Sequence, residues 1–343
     1  MKLAVIYTLL FAPLFLSAQK VDLVLDAAAR KVDVTVDGKP FTSYIFLPDS
    51  VLKRPVLYPV YSAGGTPVTR GFPFAPRSGE RVDHPHQIGV WMAHEFVNGF
   101  DFWNNKKELP DRSRYGTILH THVLKAKSGK GKGVLKVAAD WMTADGKGKK
   151  VLTEATTFTF RAKDAQRIID RTTTLTAMAD TVFFKDMKDG FFAIRLAREL
   201  EHPSEQPDVF VDARGVATKM DKMDNSKVTG RYRSSEGLEG EAVWGKRAGW
   251  MNLSGRIGQE NLSVCIIDHP KNLNYPTYWH ARGYGLLSAN PLGAKIFSDG
   301  KKELNFKLPP GKSVTFRYRT VVASEHLADA AIKRLAAEFS TEK

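Results

Sequence analysis

Lys31-Val32-Asp33-Val34-Thr35-Val36, running into Asp37-Gly38, is the stretch from which the fold reads most directly. Polar and apolar residues alternate with period two, which puts the valines on one face of an extended strand. The Asp-Gly pair is a hairpin signal, since both residues tolerate the positive φ of tight turns. Working outward, the same β pattern predicts strands over 56–61, 88–96, 117–124, 134–142, 152–160, 168–176, 191–198, 262–267, 285–289 and 313–322. No βα alternation, Gly-rich phosphate loop or blade-like repeat accompanies them. Many strands without a repeat predict an all-β fold, a large two-sheet antiparallel β-sandwich.

The end of the chain changes period. Ala328, Ala331, Ile332, Leu335, Ala336 and Phe339 recur at three- and four-residue steps, which predicts a helix over 325–340 capped by Ser324 and packed on the sandwich. No linker divides the rest, so residues 19–343 read as one domain. The stretches 64–83 and 203–233 read as long loops, a length at which loops often carry function.

At the other end, Met1-Lys2, an apolar run from Leu3 to Leu16 and Ser17-Ala18 follow the order of a secretory signal. The expectation is cleavage after Ala18 and a periplasmic or secreted protein beginning at Gln19. The run is too short for a comfortable membrane span of about 20 residues. Cys265 is the only cysteine, so no internal disulfide forms and stability rests on the core. The formal net charge is +14. Much of the excess lies in Lys125, Lys127, Lys130, Lys132, Lys136, Lys147, Lys149 and Lys150, against Asp140 and Asp145. Interleaved glycines make this a solvated hairpin region, which can also attract an acidic ligand. No nucleic-acid-binding motif is present, and no nucleic-acid partner is expected.

Two clusters carry chemistry. The first runs from Asp83 to Trp103 and holds three of the nine histidines, His84, His86 and His94, with Trp91, Glu95, Asn98, Asp101 and Trp103. His84 and His86 share a face if extended, and His120 and His122 repeat that spacing, so two pairs on adjacent strands would suit a transition metal. Pro85 and the irregular distance between the pairs argue against it; no metal ligand is assigned and the cofactor is left open. The second cluster is Trp279-His280-Ala281-Arg282-Gly283-Tyr284-Gly285, followed by Asn290-Pro291. Here His280 and Arg282 share a face, with an imidazole for proton transfer and a planar fork for an oxyanion.

Together these strings resemble a family of secreted bacterial proteins labelled PmoA-like, or methane oxygenase PmoA. The resemblance covers most of the mature chain, with Gln87 where members usually have a further histidine and Glu95 where a small residue is common. It places His84, His86, Trp91, His94, Asn98, Asp101, Trp103, His280, Arg282 and Asn290 at motif positions. It implies an accessory protein of polysaccharide-degrading bacteria, with a sandwich similar to those of sugar-active enzymes. A membrane oxygenase subunit is not implied, since such a subunit needs several spanning helices.

The expected function is a carbohydrate-active enzyme working by acid/base chemistry, whether hydrolysis, elimination or epimerisation. His86, His94, Glu95, Asp101, His280 and Arg282 are the catalytic candidates. His84, Trp91, Asn98, Trp103, Trp279, Tyr284 and Asn290 are the substrate-binding candidates. The partner is a carbohydrate or small molecule, an acidic one being compatible with the charge. A non-catalytic glycan-binding protein and a His-ligated metal oxygenase or lyase are the alternatives. The sharpest expectation is that both clusters line one pocket.

Overall fold

The computed structural model describes residues 18–106 and 108–342. All but the last residue of the expected signal segment lie outside the described residues. Two antiparallel sheets face each other across the core. One has nine strands in the order Tyr278–Arg282, Leu286–Asn290, Gly190–Arg195, Val90–His94, Val56–Val60, Lys39–Ile45, Lys31–Val36, Lys20–Asp26 and Gly129–Lys130. The other has eight: Arg231–Ser234, Trp250–Ile257, Glu260–Asp268, Ser313–Ala323, Gln166–Ala177, Lys150–Lys163, Lys132–Met142 and Thr117–Lys127. The expected sandwich is the observed architecture.

The Lys31–Val36 strand behaves as its alternation demands, burying Val32, Val34 and Val36 and leaving the polar residues half-buried. The inner faces meet through aromatic pairs, among them Phe41 against Phe160 and Phe192 stacked on Tyr318 at 4.7 Å. At roughly 25 cal/mol per Å² of apolar surface removed from water, so large an apolar interior supplies the main driving force. The Thr117–Lys127 strand, with Lys125 and Lys127, is one edge of its sheet. Lysines on an edge blunt it against pairing with another chain, a structural use for part of the basic excess.

Several stretches differ from the sequence reading, among them the unpredicted strands Lys20–Asp26, Val182–Phe184 and Phe306–Leu308. The Lys39–Ile45 strand contains Pro40, and Trp250–Ile257 contains Asn252, Ser254 and Gly255, so neither carries a clean strand signal. The 203–233 loop contains a hairpin, Asp208–Val211 with Ala217–Met220, and its end enters the Arg231–Ser234 strand. The C-terminal helix is Asp329–Thr341, and Ala328 stands at its N-cap without a side-chain cap bond. Ser324 does not cap it; its hydroxyl accepts from the Gly64 backbone instead. The helix nevertheless buries its apolar stripe as expected, setting Ile332, Leu335 and Phe339 on Ile168, Trp250, Cys265, Ile267 and Val321 of the eight-stranded sheet.

Candidate functional site

The two clusters meet on the outer face of the nine-stranded sheet, and the register explains why. Trp91 pairs with Ala193, Ala193 with Ser288, and Ser288 with His280, one row across four strands. Arg195, Leu286 and Arg282 make a second row one pleat on. Side chains alternate faces, so Trp91, Arg195, His280 and Arg282 lie on one side, while Val90 and Met92 face the opposite sheet. His94 has the inward parity of Met92. Its Nε2 is 2.7 Å from the Lys185 carbonyl, and burial pushes it down to about 4.

Irregular backbone covers this outer face, held by buried charge. Arg70 donates to the carbonyls of Arg81, Asp83, His84 and Gln87, which fixes the path of the histidine loop. Arg70 and Arg195 both reach Asp83 Oδ1, at 2.6 and 2.7 Å, and His84 Nδ1 lies 2.5 Å from Oδ2. Burial alone would raise the Asp83 carboxyl, but Arg195, the His84 hydrogen bond and Arg70 hold it well below the usual carboxylate range. Gln87 accepts from Arg195 at 2.6 Å, so it serves as scaffold for the loop. Thus braced, His84 holds φ of 42°, a left-handed conformation that a non-glycine residue adopts only under constraint. Its ring stacks on Tyr284 at 5.4 Å and meets His86 edge-on at 5.7 Å. That contact joins the two clusters.

Beside them lies a short chain of titratable groups. His280 Nδ1 is 3.5 Å from Asp189 Oδ1, and the Asp189 backbone N–H donates to Glu95 Oε2 at 3.2 Å. Burial first, then Asp189, raises Glu95 to about 7. Burial, reinforced by Lys188, Arg282 and His84, pushes His280 down to about 3. Glu95 therefore exchanges protons near neutrality, while His280 stays a neutral hydrogen-bonding group. Arg282 is exposed and leans over the rings of Trp244 and Tyr284, at 5.8 and 5.9 Å. It opens on a cleft of about 620 Å³ walled by His202, Tyr232, Glu241, Trp244 and Tyr284.

The remaining candidates stand elsewhere. Trp91, Trp103 and Trp279 are at most 1 % exposed, Trp91 against Trp103 at 5.2 Å, so none offers a face for stacking a ligand. Asp101 accepts from the backbones of Trp103 and Asn104 and from the Asn104 side chain, which makes it a turn brace. Asn98 accepts from the Phe183 backbone, and Asn290 donates to the carbonyls of Met187 and Lys188, shaping the loop that carries Asp189. His120 packs on Phe46 and bonds the Tyr44 hydroxyl on an edge strand of the other sheet, so the two histidine pairs are not neighbours. Among the described residues no three His, Cys, Asp or Glu side chains are grouped to hold a metal ion. Asp189, Arg195 and Trp244 are additions that the sequence reading lacks. An arginine on the outward parity of an otherwise apolar strand was the available signal for Arg195.

A family model described as a family of unknown function (DUF6807) matches residues 31–337, and nothing in it supports the PmoA-like label. No curated protein matches the chain. Among solved structures, the alpha-galactosidase from Lactobacillus brevis is similar at 8% identity and TM-score 0.37, covering 88% of this chain and 39% of its own. A putative aldose 1-epimerase from Escherichia coli K12 is similar at 9% identity and TM-score 0.36, covering 88% and 98%. The galactosidase domain of an alpha-galactosidase-sucrose kinase follows at 9% identity and TM-score 0.41, covering 90% and 42%. The chain thus spans about two-fifths of the two galactosidase structures. Likeness at this level bears on neither substrate nor activity.

Proposed function

We propose that this chain, which belongs to the family of unknown function DUF6807, is an exported protein that acts on a carbohydrate by proton transfer. One observation carries the reading: Arg282 and Tyr284 belong both to the open cleft and to the surroundings of His280 and Asp189, and the Asp189 backbone N–H bonds Glu95. A sugar needs aromatic surface for its C–H faces and polar groups for its hydroxyls. The cleft offers the half-buried rings of Trp244 and Tyr284 beside Arg282, Glu241 and His202.

The roles follow from the charges. Glu95, at about 7, gives and takes back a proton at the reacting sugar oxygen or carbon. His280, neutral because burial keeps it so, hydrogen-bonds a hydroxyl and orients it. Arg282 stabilises negative charge as it develops. Asp189, linked to both, keeps the Glu95 carboxyl in a protonatable state through its proximity. Whether the bond change is hydrolysis, elimination or epimerisation is read from the product.

The test is NMR-monitored incubation with a panel of reducing sugars and oligosaccharides. Glu95→Gln is expected to lower kcat/KM by about 10²–10⁴, and Trp244→Ala to raise KM chiefly. Full activity in Glu95→Gln overturns the mechanism, and binding of a sugar without turnover makes the protein a glycan binder. Export rests on the pattern of residues 1–18; mature protein should begin near Gln19, and an intact Met1 on the exported form would contradict it.

A further inference from the structure

Behind His86 lies a second pocket, about 200 Å³, that shares no lining residue with the cleft. Arg54, His86, Asn105, Lys106 and Phe74 line it, with the exposed Glu108 as its one carboxylate. Its polar groups are unsatisfied in a consistent way. Arg54 is 3% exposed, donates to the carbonyls of Trp103 and Asn105, and has a buried Nη1 with no partner among the described residues. Among the described residues no carboxylate stands within ion-pair distance of it, although Asp101 is near enough to be felt. Both ring nitrogens of His86 are buried without a partner among the described residues. Asn105 gives its amide N–H groups to Gly116, Thr117 and Asp145, which leaves Oδ1 as a buried acceptor with nothing to accept.

A buried guanidinium without a counter-ion is costly, and an incoming anion offsets that cost. Burial pushes Arg54 down to about 10, so it remains charged at neutral pH. Lys106, half-buried at the rim, adds a second positive charge. Arginine's planar fork matches a carboxylate. The Asn105 acceptor needs something else, a donor such as a hydroxyl. An inorganic anion satisfies the first demand only.

We infer that this pocket seats the carboxylate of a hydroxylated acid of the uronic type, with the carboxylate on Arg54 and a neighbouring hydroxyl on Asn105 Oδ1. The free acid and the end of an acidic oligosaccharide present the same group. The inference does not depend on Glu95 or on turnover.

Calorimetry on the full mature chain tests it with galacturonate, its neutral counterpart galactose, trigalacturonate and sulfate. Galacturonate is expected to bind at least about tenfold tighter than galactose, the factor one charge-assisted hydrogen bond supplies. A further gain for trigalacturonate assigns the site to an oligosaccharide end, and equal affinity assigns it to the free acid. Arg54→Lys should weaken galacturonate binding on the order of ten- to a hundredfold. Should that variant not fold, Lys106→Gln and His86→Phe, whose side chains make no hydrogen bond among the described residues, decide by the same readout. Glu95→Gln should bind galacturonate like the parent, which separates this inference from the catalytic one. Equal binding of galactose, binding of sulfate as tight as galacturonate (an adventitious ion only), or affinity untouched by all three pocket variants overturns it.

Discussion

Each sheet has an outer face, and the two are covered in opposite ways. On the eight-stranded sheet the Asp329–Thr341 helix lays Ile332, Leu335 and Phe339 on an apolar patch. Arg319 pins its far end by pairing with Asp170 and Glu342. On the nine-stranded sheet the described residues place no helix of that kind; loops threaded on Arg70, Asp83 and Arg195 do the covering. A helix satisfies its own backbone, so it seals a face without presenting chemistry. Loops need side chains to satisfy theirs. The polar groups recruited for that purpose stand beside those free to meet a ligand, which is why both candidate pockets border the loop-covered face.

The contrast breaks first, and most heavily, at Asp83. Asp83→Ala leaves Arg70 and Arg195 buried without their shared carboxylate, and should cost about 3–5 kcal/mol in urea unfolding. A loss under 1 kcal/mol would mean that the loop cover is not held by charge. On the helix side, Leu335→Ala should cost about 2–3 kcal/mol, toward the low end for a buried leucine because it keeps 7% exposure. That loss should be nearly independent of salt, unlike one arising from a charge network. Ala328→Asp should raise stability by about 1 kcal/mol, since the N-cap now lacks a side-chain bond; an unchanged Tm would show that the cap is satisfied by another route.

The smallest effect is a slope. Glu95 is raised from its ordinary value to about 7, so the folded state holds its proton more tightly than the unfolded chain. Its contribution is full below about pH 4.5 and is lost as pH rises through 7. Asp268, likewise raised to about 7 by burial, adds a slope of the same sign. Glu95→Gln should therefore flatten only part of the decline in stability between pH 4.5 and 7, and the half-exposed position of Glu95 keeps that part modest. An unaltered slope would place the Glu95 pKa near its ordinary value, and with it remove the proposed acid.

The same contrast explains what the sequence made legible. Strands with one wet face, such as Lys31–Val36 and Lys150–Lys163, alternate and are read at once. Val90–His94, Gly190–Arg195 and Leu286–Asn290 are buried on both faces, so they appear as apolar runs whose outward residues cannot be told from inward ones. For that reason His94 and Trp91 read as site residues, while Arg195 escaped notice. The His280–Arg282 pairing on one face was legible, because i and i+2 share a side in any strand. Asp189 was not: its role comes from a loop shaped by Asn290 a hundred residues on, a relation with no local signature.

Cys265 sits beneath the C-terminal helix, fully buried, its thiol pushed far up by desolvation. Being the sole cysteine, it gives the molecule a built-in clock for the departure of that helix. A thiol reagent reacts only when the site opens, so labelling kinetics in increasing urea distinguish helix undocking from unfolding of the whole sandwich. If the labelling free energy falls below the global one, the helix is a separately released latch on a sheet that stays folded.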